Sequence, residues 1–72
     1  MITYEQAKKT ALSIDQFTTA FDYGDAYVFG FSGDQKADKT PIAVRKSDGK
    51  VAIFTAYILN RKEHTSPKTL PM

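Results

Sequence analysis

Apolar residues return every three to four positions at the start of this chain and every second position afterwards. Tyr4, Ala7, Ala11 and Ile14 form one helical stripe, widened by Leu12, while Gln6, Lys8, Lys9 and Ser13 fall elsewhere. Thr3-Tyr4-Glu5-Gln6 matches a capping box, with Ile2 placed to staple the first turn and Glu5 at the anion-favouring end. The pattern predicts an amphipathic helix of about three turns. Its small alanines would allow close approach to a sheet.

From Phe17 the period changes. Phe17, Thr19, Phe21 and Tyr23 alternate with polar or small residues, predicting a strand, although Phe17, Ala20 and Phe21 would also suit a helical continuation. Thr18 and Thr19 are β-branched and Gly24-Asp25 supplies a hairpin turn, which favours the strand. Ala26–Ser32 is the next strand, with Tyr27, Phe29 and Phe31 on one face and Ala26, Val28 and Gly30 on the other. Gly33–Thr40 reads as a polar loop.

The segment Thr40–Thr55 predicts a β-hairpin. Pro41 opens its first strand, where a missing N–H is tolerated. Ile42 and Val44 alternate with Ala43 and Arg45, and Ser47-Asp48-Gly49 turns the chain with Gly49 suited to positive φ. Val51, Ile53 and Thr55 then alternate with Ala52, Phe54 and Ala56, which extends the second strand to residue 56. Residues 60–72 carry no packing pattern and read as an extended basic tail that needs a neighbour to hold it. The expectation is an α+β domain over residues 1–59, an N-terminal helix packed on a three- to four-stranded antiparallel sheet, with the tail at 60–72.

Seventy-two residues sit near the lower limit for a self-sufficient core, and with no Cys no disulfide or thiolate metal site can reinforce it. A composition 42% hydrophobic and 25% charged is that of a globular chain. No apolar run approaches a membrane span, and no basic segment leads into an apolar one at the N-terminus. The expected location is the bacterial cytoplasm, or a virion if the source is a phage. Charge is lopsided. Residues 1–33 carry Lys8 and Lys9 against Glu5, Asp15, Asp22 and Asp25, whereas residues 34–72 carry most of the cations. Such polarity can orient an encounter with an asymmetric partner.

Catalytic chemistry finds little footing. His64 is the only histidine and lies beside Lys62 and Glu63 in the tail, as a solvated side chain would. Asp22 and Asp25 flank a turn, where carboxylates commonly serve the backbone. Gly30-Phe31-Ser32-Gly33 is an incomplete nucleophile elbow, and the four glycines form no phosphate loop. No enzyme activity, cofactor, metal or small-molecule substrate is expected. Tyr27, Phe29 and Phe31 beside Arg45, Lys46, Lys50, Arg61 and Lys62 could stack and neutralise single-stranded nucleic acid. The competing reading, that these rings form the core under the helix, is the favoured one because no nucleic-acid motif accompanies them.

Several strands are apolar on both faces, and one short helix covers only one face of a sheet. The other face, or an edge, should meet the tail, a second copy or a target protein.

The order Ile2-Thr3-Tyr4-Glu5-Gln6-Ala7, Ala26-Tyr27-Val28-Phe29-Gly30-Phe31 and Pro41-Ile42-Ala43-Val44-Arg45-Lys46-Ser47-Asp48-Gly49-Lys50-Val51 resembles the YrhB-like family of small bacterial proteins over residues 2–56. The resemblance implies a helix-on-sheet fold and an immunity-related or chaperone-like role. The chain departs from that pattern in its short Phe31–Pro41 spacing and in a Pro-containing tail where a helical element would follow the hairpin.

The expected function is therefore non-catalytic protein binding, immunity-like or inhibitory. The candidate contacts are Arg45, Lys46, Lys50, Phe54, Tyr57, Arg61, Lys62 and Lys68. The alternative is a phage or mobile-element structural subunit, a virion accessory protein that binds copies of itself or other neighbours through its tail.

Overall fold

Helix α1 (Tyr4–Leu12) starts where its capping box puts it. Thr3 is extended, its hydroxyl accepts from the Gln6 N–H at 3.2 Å, and the Gln6 side-chain oxygen accepts from the Thr3 N–H at 2.9 Å. Two orphan donors of the first turn are thereby satisfied. The helix stops one turn short of the sequence stripe. Ser13 forms the C-cap, and Ile14 is 52% exposed.

The computed structural model describes residues 1–31, 40–60 and 66–71. After α1 come β1 (Thr19–Asp22), β2 (Ala26–Gly30), β3 (Ile42–Arg45), β4 (Val51–Ile53), a second helix α2 (Phe54–Leu59) and β5 (Lys68–Leu70). The strands make one antiparallel sheet in the order β4-β3-β2-β1-β5. The class is α+β.

Two turns set the register. Gly24, at φ 95°, is the first of the two central residues of the Tyr23–Ala26 turn between β1 and β2, where the Tyr23 N–H donates to the Ala26 carbonyl at 3.0 Å. Positive φ at the first turn residue alone is the type II′ arrangement, which follows the twist of the flanking strands. Gly49, at φ 73°, closes the β3–β4 turn, where the Asp48 carboxylate accepts from the Lys50 N–H at 3.0 Å.

Alternation then divides the side chains between two faces. Beneath α1 lie Ala20, Phe29, Ile42 and Val44, closed by Ala7, Ala11 and Phe17, with Ile2, Tyr4, Tyr27, Phe31 and Leu70 at the margin. The Tyr27/Phe29/Phe31 stripe is thus core under the helix, and Phe29 is fully buried. Phe29 stacks on Tyr4 with ring centroids 6.1 Å apart, while Phe17 meets Phe31 at 4.9 Å. Ring pairs of this kind contribute about 0.5–1.5 kcal/mol each beyond area burial. Phe17 faces α1 because it precedes β1, so it does not share a face with Thr19, Phe21 and Tyr23.

Two expectations need correction. The chain does not continue as a strand through residue 56. Phe54–Leu59 form α2, whose Phe54 and Tyr57, one helical turn apart, pack on Ala26, Val28 and Ala43 of the second face. A helical element therefore follows the hairpin. The tail is also not wholly outside the domain, because Lys68–Leu70 pair with β1 as a fifth strand. The segments 32–39 and 61–65, including most of the expected loop and Arg61, Lys62 and His64, lie outside the described residues, as does Met72.

Candidate protein-binding surface

On the second face α2 lies against β3 and β4, with its Phe54 and Tyr57 reaching Ala26 and Val28 of β2. Across β1 and β2 a groove of about 380 Å³ remains, with Thr19, Phe21, Val28 and Gly30 in its floor and Tyr23, Phe31, Pro41 and Phe54 around it. Register explains the floor. Thr19 pairs with Gly30 and Phe21 with Val28, so these alternate residues share one face. Gly30 keeps the groove open, since a Cβ there would approach the Thr19 hydroxyl at 3.3 Å and Pro41 at 3.4 Å.

The wall on the α2 side is an aromatic cluster. Tyr23, Phe54 and Tyr57 meet pairwise with centroids 5.9 to 6.5 Å apart, two of the three pairs edge-on. The Tyr57 hydroxyl donates to the Asp25 carboxylate, which ties α2 to the β1–β2 turn. The rings are too close to admit a cation among them. They present an apolar wall with phenolic rims, the kind of surface that accepts a partner's aliphatic or aromatic side chain.

The expected contact residues distribute as follows. Phe54 lines the groove and Tyr57 packs against it within the aromatic cluster, both half-buried. Arg45 and Lys50 pair across the β3–β4 hairpin through the Arg45 N–H and the Lys50 carbonyl at 2.9 Å, both exposed, and Arg45 stands opposite Ala26 of the second face. Arg45 also lies 3.9 Å from Asp48, an exposed contact of little energetic weight. Lys68 is exposed on β5, the sheet edge beyond β1.

Lys46 is different. Its ammonium lies 2.8 Å from the Asp22 carboxylate and 4.6 Å from the centre of the Tyr27 ring, with only 13% of its side chain exposed. It is an internal tie on the α1 face. That ion pair, aided by the Gly24 N–H and the nearby Lys68, holds the Asp22 carboxyl below the ordinary aspartate range in spite of partial burial. Partial burial, with a smaller contribution from Glu5, pushes the Tyr4 hydroxyl above its ordinary range.

Sequence reasoning did not single out Thr19, Phe21, Tyr23 or Val28 as contacts. The signal was present in the two-residue period of both strands, but the groove exists only because α2 stops short of β1. Among the described residues no helix is long and apolar enough to cross a membrane, and no three His, Cys, Asp or Glu side chains gather as metal ligands would. No family model matches the chain, and neither a curated protein nor a solved structure is significantly similar to it.

Proposed function

We propose that this chain is a non-catalytic protein-binding module that works through the second face of its sheet. The carrying observation is the aromatic-walled groove of about 380 Å³ on the second face, the face on which exposed Arg45 stands opposite Ala26. An apolar groove on a face that also carries a cation suits a partner that inserts an apolar side chain and brings carboxylates nearby. The groove supplies the desolvated anchor point and the cation steers approach. An immunity-like or inhibitory role is the finer part of the proposal, and it is what the YrhB-like resemblance implies.

Two other readings draw less support. Lacing of a virion through the tail would call on a segment whose Lys68–Leu70 are already paired with β1. Stacking of single-stranded nucleic acid would call on rings of which Phe29 is enclosed beneath α1.

The test is to purify the full chain from its source with nuclease treatment and count what accompanies it, alongside Phe21→Asp and Arg45→Glu variants confirmed to be folded. One unrelated protein at fixed stoichiometry, lost from both variants, supports the proposal. A set of particle proteins that persists with both variants would replace it with the structural-subunit reading.

A further inference from the structure

The two helices are held to the sheet by different means. α1 carries a reciprocal capping box and buries Ala7 and Ala11 completely. α2 has six residues, well below the roughly 12 at which an isolated helix is even marginal in water, so packing keeps it folded. Its N-cap is Ile53, which supplies no side-chain bond, and no carboxylate stands in its first turn. At the other end the Asn60 side-chain amide donates to the Ala56 carbonyl at 2.8 Å. No residue of α2 is buried, and Leu59 is 78% exposed.

The surface under α2 is smooth. Phe54 and Tyr57 close over Ala26, Val28 and Ala43. Ala43 pairs with Val28 on one side and Ala52 on the other, so small side chains let the helix lie close without interlocking with the sheet. Phe54 is pinned, because its N–H donates to the Pro41 carbonyl at 3.0 Å. Tyr57 is held by ring contacts with Tyr23 and Phe54 and by its hydroxyl, which donates to the Asp25 carboxylate. Asp25 is a firm anchor. Its carbonyl accepts from the Lys46 N–H at 3.0 Å, which ties the β1–β2 turn to the end of β3. A fixed pivot at Phe54 and a polar tie one turn further on are the parts of a hinge and a latch.

We infer that α2 is a hinged strap, which swings off the second face as one unit about Phe54 while α1 and the sheet stay folded, with the Tyr57–Asp25 bond as its latch. Opening withdraws Tyr57 from Ala26 and Ala43 and extends the apolar face of the groove from β1 and β2 onto β3. Ala26 is the ladder partner of Arg45, so the enlarged groove reaches the cation of that face. The strap then sets the width of the groove. A partner that needs the wide form binds with an affinity reduced by the open fraction, and weakening the latch raises it.

The inference concerns the free chain, so it stands or falls without any partner. The sequence has no Cys, and a single introduced thiol can therefore report on each face. Ala43→Cys places one beneath α2 and Val44→Cys places one beneath α1, both at fully buried positions. Reaction with an aromatic disulfide reagent should be at least about tenfold faster at position 43, at a rate flat in low urea. Position 44 waits for global unfolding, and its rate climbs with urea. Adding Tyr57→Phe should speed reaction at position 43 about two- to tenfold. The unmodified chain gives a second reading, free of any new side chain. Its Ile58, Leu59 and Asn60 amides should share one protection factor, at least about tenfold below that of β2 and β3. Equal thiol rates with the same urea dependence overturn the inference. So does α2 protection that equals that of the inner strands or grades along the helix from its end. A rate at position 43 unmoved by Tyr57→Phe overturns the latch.

Discussion

The Tyr4 hydroxyl, in the first turn of α1, donates to the carbonyl of Pro71, 67 residues along the chain. Together with the Ala20–Leu70 pairing, it fastens both ends of the chain to one face of the sheet. Tyr4→Phe keeps the ring against Phe29 and Tyr27 but removes the donor. The variant should lose about 0.5–1.5 kcal/mol, concentrated in β5. Hydrogen exchange of Thr69 and Leu70 should accelerate more than that of β2. Uniform acceleration across the sheet would mean that this bond does not hold the C-terminal strand.

The same hydroxyl carries an alkaline dependence. Its folded-state pKa is raised, so its contribution is complete below the ordinary tyrosine value of about 10 and is lost as pH rises through the folded value. Wild-type stability should therefore fall above about pH 10 more steeply than that of Tyr4→Phe. Parallel alkaline unfolding curves would contradict this assignment.

The Lys46–Asp22 contact works in the opposite sense. Asp22 has a lowered pKa in the folded state, so the unfolded chain binds the extra proton as pH falls below about 4. Its contribution is present above the ordinary aspartate value and disappears as pH drops through the folded one. Asp22→Asn should cost about 1–2 kcal/mol at neutral pH, since it leaves the mostly buried Lys46 without its carboxylate. Denaturant titrations at pH 7 and at pH 2 should show the difference between wild type and variant shrinking at low pH. An equal difference at both would place the effect in packing.

Gly49 holds φ 73° in the β3–β4 turn, and a Cβ there would lie 3.3 Å from the Ile2 side chain. Gly49→Ala therefore combines backbone strain with a close contact. It should destabilise the domain by about 1–2 kcal/mol, lowering the thermal midpoint, whereas Gly24→Ala meets strain alone with open space beyond. The first substitution should be the costlier. The reverse order would show that Ile2 gives way freely.

These elements differ in how far local sequence announced them. The Thr3–Gln6 box and the Gly49 turn were legible because each is written within a few residues and satisfied there. Phe54–Leu59 was not. Val51 to Ala56 alternates as a strand would, yet Phe54, Tyr57 and Ile58 also fit helical spacing. Packing of Phe54 and Tyr57 on the second face decides between them, a tertiary effect that outweighs local preference. Lys68-Thr69-Leu70 carries no strand signal either, and its order comes from pairing with β1 near the other end of the chain. The groove inherits this difficulty. Its floor is readable from Thr19, Phe21 and Val28, but its wall depends on α2. Likewise Lys46 looked like a surface cation until Asp22 was brought within 2.8 Å across the sheet.

Site-specific photo-crosslinking tests the proposed binding face most directly. A benzophenone side chain at Thr19, in the groove floor, is compared with one at Lys9, exposed on α1 across the sheet. The account predicts one heterologous protein adduct of defined mass from position 19, lost when Arg45→Glu is added, and none from position 9. Equal adducts from both positions, or adducts from position 9 alone, would contradict it.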